Sequence, residues 1–246
     1  MNSKKLLHIS FVDDSLVASE AGEAIVFDDS LVVQAVGCYF DDLTIESFRV
    51  YDLEPVIFPD AQDYAGIVIG GSGHFVREAD QLLWMNDIAV FIQRAKEAGV
   101  PLLGICFGHQ LIAHVLGGVV GPFADDRRDF GVVQMQKLKH ADNHILFQDV
   151  PDVFDALASH GDYIHELPIG ARALARSESC HIEAAEFGHM TYGVQFHPEY
   201  TPSVMLDLAR ERIVDEASRN RFAAGLSNAP HATQVLRNFV KHAVED

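Results

Sequence analysis

The stretch PLLGICFGHQLIAHVLGG, Pro101 to Gly118, places a cysteine between two glycines, after an apolar run and ahead of a helix-like one. Gly104-Ile105-Cys106-Phe107-Gly108 has the form Gly-x-nucleophile-x-Gly. A sharp strand-to-helix turn strains the nucleophile's backbone, and flanking glycines remove clashes with neighbouring groups. Such a turn thrusts the side chain out at the carboxyl end of a sheet, where α/β proteins bind ligands. Cys106 then lies at a helix N-terminus, whose dipole and free N–H groups favour thiolate over thiol. The N–H of Phe107 points toward any oxyanion formed at the attacked carbon. A buried, inert thiol is the alternative for a cysteine in an apolar run.

Outward from this segment, apolar, β-branched-rich runs recur at Leu6–Val12, Phe48–Leu53, Ala65–Gly71 and Val100–Cys106. Between the last two, Leu83, Ile88, Phe91, Ile92 and Ala95 form a helical stripe that Gly99-Val100-Pro101 ends. Strand, helix, strand in this order implies parallel strands with crossover helices. Gly131–His140 alternates and reads as an antiparallel strand, and FDALASHGDYI as a strand then a loop. HIEAAEFGHMTYGVQFHPEY reads as a hairpin turning near Phe187-Gly188-His189, and the tail from about Pro202 as two helical stretches. Asp13–Thr44 carries few signals and is expected to be an irregular or helical excursion. With no repeat, low-complexity tract or flexible linker, residues 1–246 read as one domain.

The bulk numbers narrow the function. A net charge of −18, with no Lys/Arg cluster, argues against nucleic acid as a partner. No apolar run approaches the roughly twenty residues that span a membrane. Asp13 and Asp14 cut short the apolar start that a signal peptide would need. Three widely spaced cysteines, Cys38, Cys106 and Cys180, fit a reducing cytoplasm better than a disulfide framework.

A thiolate needs a base and something to orient it. Among 13 histidines, the segment GVQFHPE singles out His197. An apolar strand runs up to it, Pro198 breaks the strand, and Glu199 can fold back to the imidazole. Carboxylate oriented on His, and His oriented on Cys, is the logic of a catalytic triad. A solvated strand end is the alternative.

Taken together, these segments resemble the class I glutamine amidotransferase family, in its GMP-synthetase-like branch. GICFGHQLIA resembles the nucleophile segment, GVQFHPE the His–Glu segment, and YAGIVIGGSG the oxyanion strand. ASHGDYIHELPIGARALARS is similar to the stretch between them, and the order is also the family's. The likeness runs roughly from Phe58 to Tyr200. It implies a flavodoxin-like α/β fold of three layers, with a mostly parallel central sheet and a nucleophile elbow. It implies hydrolysis of the glutamine side-chain amide through a γ-glutamyl thioester, without cofactor or metal. The ammonia would pass to a separate synthetase or another acceptor. Carried over, Cys106 is the nucleophile, His197 the base and then the acid, and Glu199 its orienter. Gly71 and Phe107 supply the oxyanion N–H groups, and Gln110 helps seat the substrate. A Gln on a helix surface is the alternative for Gln110.

The departures are specific. Ser72 stands where many members have Pro, and Asp129-Phe130-Gly131 where the branch has Glu-x-Gly. The first sixty residues match poorly, and no Ser-Gly-Gly-x-Asp-Ser phosphate loop of a synthetase is present. These departures keep open a stand-alone γ-glutamyl hydrolase or transferase with the same thioester chemistry, and more distantly a silent docking module. His160, Asp162 and His165 lie close in sequence, but no matching ligand set follows, so no metal is expected. His140 and His144 read as a solvated loop, as does Asp125–Asp129 near the active-site mouth. Trp84 reads as core or lid packing.

Overall fold

The structure is a computed structural model that describes residues 4–12, 29–40, 42–51, 56–125 and 127–245. Most of the Asp13–Thr44 region, and the end of the run expected at Phe48–Leu53, lie outside the described residues. The strands that begin the fold are β1 (Lys4–Val12), β2 (Leu43–Tyr51), β3 (Gly66–Ile69) and β4 (Leu102–Ile105). Helices α1 (Asp29–Val36), α2 (Met85–Glu97) and α3 (Phe107–Val115) are interleaved with them. Then come β5 (Val119–Pro122), β6 (Asp129–Lys137), β7 (Val153–His160), β8 (Asp162–Glu166), β9 (Arg172–Arg176), β10 (Ala184–Glu186) and β11 (Thr191–Val194). Helices α4 (Pro202–Arg212), α5 (Glu216–Gly225) and α6 (Pro230–Glu245) close the chain.

Nine strands form one sheet in the order β2-β1-β3-β4-β11-β10-β9-β6-β7. The first five are mutually parallel, and β10 and β6 run against their neighbours, so seven of the nine point the same way. Counting β11 as the fifth parallel strand, the order is 2-1-3-4-5, the flavodoxin-like arrangement. β5 and β8 pair separately. Parallel strands covered on both faces read as continuous apolar runs. Along β1, Leu6 faces one core with Val235, Leu236, Phe239 and Val240 of α6. Leu7 and Ile9 face the other, with Ile88, Phe91 and Ile92 of α2 and Leu111 and Ile112 of α3. Helices on both sides of one sheet make the three layers.

Several expectations are corrected. Leu83 lies before α2 and is 64% exposed, while Trp84 takes the buried place beside it. The loop expected after the strand of FDALASHGDYI is β8, which β5 pairs with and extends into a small second sheet. The tail holds three helices rather than two, because Asp215 caps α5 by accepting from the Ser218 N–H. β11 stops at Val194, three residues short of His197. His144 is largely buried and its Nδ1 accepts from the Leu146 N–H, so it fixes a turn rather than floating in solvent.

Candidate active site

The segments that follow the carboxyl ends of β3, β4 and β11, three adjacent parallel strands, meet at one place. After β4 comes Cys106, with φ 51° and ψ −102° at the N-cap of α3. Left-handed φ costs a non-glycine residue on the order of 1–3 kcal/mol, and it persists where the surroundings enforce it. Here they do. A Cβ on Gly104 would lie 2.4 Å from the backbone of Gly108, and one on Gly108 would lie 2.1 Å from the Ile69 carbonyl oxygen. The Gly108 N–H donates to the Gly70 carbonyl at 3.2 Å, which clamps the start of α3 against the end of β3.

Cys106 is 6% exposed and lines a pocket with Phe107, Gln110, His160, His197 and Arg128, among others. His197 reaches the pocket from beyond β11. Its Nδ1 is 2.7 Å from Glu199 Oε1, and Tyr200 stacks on the ring with centroids 3.9 Å apart. Burial pulls the imidazole's pKa down, but the Glu199 carboxylate and then the Cys106 sulfur outweigh it and push it up to about 10. The Glu199 carboxylate and the Cys106 sulfur thus both favour the protonated form of the ring. Cys180 is the contrast. Burial and the nearby Glu183 push that thiol well above its ordinary value, which keeps it inert.

Gln110 is 3% exposed, so it is not a surface residue of α3. Its side-chain N–H groups donate to the Asp162 carbonyl at 2.8 Å and to Gln195 Oε1 at 3.1 Å. Gln195, fully buried, in turn has its Nε2 3.7 Å from the Cys106 sulfur. The sequence reading missed Gln195, although it sits inside the quoted GVQFHPE segment. The Phe107 ring is buried against Phe11 at 5.1 Å and Trp84 at 6.2 Å, which leaves its backbone N–H at the first turn of α3. Ser72 and Gly73 line the Cys106 pocket, whereas Gly71 lines an adjoining recess with Glu199 and Tyr200. Arg77 pairs with Asp162 at the pocket wall.

A family model described as glutamine amidotransferase class-I matches residues 33–213. The chain belongs to the class I glutamine amidotransferase family. Over 180 residues this amidotransferase-family chain is 36% identical to a glutamine-hydrolysing GMP synthase of Neisseria meningitidis serogroup C, covering 73% of the chain and 31% of that protein. The chain thus spans about a third of the length of such curated relatives. Over 159 residues it is also 36% identical to one subunit of the glutamine-hydrolysing GMP synthase of Archaeoglobus fulgidus, covering 64% of the chain and 78% of that relative. A solved glutamine amidotransferase from Thermotoga maritima superposes with a TM-score of 0.74 at 20% identity, covering 100% of both chains. That likeness shows the fold, flavodoxin-like with a mostly parallel sheet. No helix among the described residues is long and apolar enough to cross a membrane.

Proposed function

We propose that this amidotransferase-family chain is a cytoplasmic glutaminase of the GMP-synthase type, which hydrolyses the side-chain amide of glutamine and delivers ammonia to a separate synthetase. The observation that carries this reading is the left-handed Cys106 at the head of α3, sharing its pocket with the buried His197–Glu199 pair. The Cys106 thiolate attacks the amide carbon and forms a C–S bond. The tetrahedral oxyanion is met by the N–H groups of Phe107 and, after a small shift of the loop beyond β3, Gly71. The C–N bond breaks as His197 gives its proton to the departing nitrogen, which leaves as ammonia. His197, now neutral, takes a proton from water, the hydroxide attacks the thioester, and glutamate leaves with the thiolate restored. Glu199 holds the ring through Nδ1, so the other ring nitrogen serves the sulfur and the leaving group. Each oxyanion donor lowers the barrier by a few kcal/mol.

The pocket rim supports a substrate with a carboxylate at its far end. Arg128 and Arg212 both line it, and neither has a carboxylate within salt-bridge distance among the described residues. Burial, and beyond it the nearby Arg128 charge, pull Arg212 below its usual value. Two cations sharing a wall, neither in a salt bridge with a described carboxylate, suit the α-carboxylate of glutamine. Gln110, whose N–H groups are both committed, has its carbonyl oxygen left for the substrate's ammonium group.

The test is ammonia release from L-glutamine by the full chain, alone and with a candidate synthetase, together with mass spectrometry after 6-diazo-5-oxo-L-norleucine. Turnover and a single adduct on Cys106 are expected. Turnover confined to larger γ-glutamyl amides and peptides would instead identify a stand-alone γ-glutamyl hydrolase.

A further inference from the structure

Behind the Cys106 pocket, three side chains from separate parts of the chain bring acceptor atoms together. Asp129 and His160 are direct partners across β6 and β7, and Glu183 immediately precedes β10. One ligand atom from each lies within 4.8 Å of the others. His160 and Glu183 are 5% and 0% exposed.

The hydrogen bonds around the cluster leave it short of protons. His160 Nδ1 is 3.0 Å from the Asp162 carbonyl, so that nitrogen carries the hydrogen and Nε2 presents a lone pair. Nε2 lies 3.6 Å from Asp129 Oδ2, too far for a hydrogen bond, and has no other partner. Ser179 donates its hydroxyl proton to Asp129 Oδ2 at 2.5 Å. Ser177 Oγ lies 3.0 Å from Ser179 Oγ and 3.4 Å from the Cys180 carbonyl oxygen, so its single proton has several acceptors within reach. Both Glu183 oxygens are buried without a hydrogen bond of good geometry. An imidazole nitrogen and two carboxyl groups facing one another in a buried place call for a proton or a cation between them.

We propose that Asp129, His160 and Glu183 form a binding site for one divalent first-row cation, of the Zn²⁺ or Mn²⁺ class. One imidazole nitrogen and two carboxylates form a ligand set such ions accept, and the Nδ1–H bond to a backbone carbonyl is the outer-shell contact that orients a ligating histidine. The ion would tie β6, β7 and the segment before β10 together at the wall of the Cys106 pocket. No spacing motif betrays it, because Asp129 and Glu183 flank His160 at long separations rather than within the SHGDYIH segment.

The experiment uses the full chain, stripped with a chelator and then incubated with MnCl₂ or ZnCl₂ and passed through gel filtration, with bound metal counted by mass spectrometry. Mn²⁺ is the cleaner probe, because Zn²⁺ also favours the thiolate–imidazole pair at Cys106. One equivalent retained by the wild type, a Tm raised by about 5 °C or more at saturating metal, and loss of both in Glu183→Gln are expected. Asp129→Asn serves as the second variant should Glu183→Gln fail to fold. No retained equivalent in the wild type, or equal retention in the folded variant, overturns the proposal. A metal-free wild type whose Glu183→Gln variant is equally stable overturns it too, and assigns the central positive charge to a proton on Glu183.

Discussion

Replacing Glu199 by Gln keeps the size of the side chain and removes one charge beside a fully buried imidazole. The gap between the ordinary 6.5 of His197 and its value of about 10 corresponds to about 5 kcal/mol in favour of the imidazolium. Glu199 is the largest contributor to that rise, and burial opposes it. In Glu199→Gln the opposing effect remains and only the Cys106 sulfur still favours the charged ring, so its value should fall well below about 10 and the proton destined for the leaving nitrogen be held less firmly. kcat/KM should drop by about 10²–10⁴-fold. The cleanest readout is histidine NMR in a Cys106→Ala background, where the thiol no longer contributes. There His197 should titrate clearly higher with Glu199 than with Gln at that position. The stability follows the same sign. Because the folded value exceeds the unfolded one, the contribution is complete below pH 6.5 and is lost as pH rises toward about 10. Urea midpoints of Cys106→Ala should therefore fall between pH 6 and pH 9.5 by more than those of the double variant. A His197 that titrates at the same pH with and without the Glu199 carboxylate, or identical urea profiles in the two proteins, would refute the reasoning.

Gly108→Ala sets a Cβ 2.1 Å from the Ile69 carbonyl oxygen, a backbone atom that cannot rotate away. It should destabilise the fold by about 3 kcal/mol or more in urea unfolding and abolish alkylation of Cys106 at its native rate. Gln195→Leu removes the amide donor to the sulfur, so iodoacetamide should modify Cys106 about tenfold more slowly at neutral pH, the lower end for a hydrogen bond to a charged group. Arg128→Gln should raise KM for glutamine about tenfold with kcat retained, while leaving inactivation by the α-methyl ester of 6-diazo-5-oxonorleucine unchanged.

The parallel half of the fold was legible because strands buried on both faces leave unbroken apolar runs. Val100–Cys106 needed only its flanking glycines to announce the turn that follows. The hairpin of β10 and β11 showed itself through Gly188, whose φ of 82° suits the turn. What stayed hidden depended on contacts between distant segments. β8 looked like a loop because a five-residue strand in a two-stranded sheet needs little apolar content of its own. The helix Glu216–Gly225 buries none of its own residues completely, so no stripe marked it; its Phe222 stacks on Phe130 at 4.8 Å instead. Gln195 carried no signal, since an amide within an apolar strand exit reads as polar noise until its neighbours are known. Gln110 could be quoted from a motif, but its commitment to Asp162 and Gln195 is visible only in three dimensions.

The contacts running from the Asp162 carbonyl to the Cys106 sulfur pass through two amide side chains, neither of which ionises. Acid and alkali leave such a tether untouched. The grip of the amides on the sulfur therefore stays constant while His197 beside it gains or loses its proton.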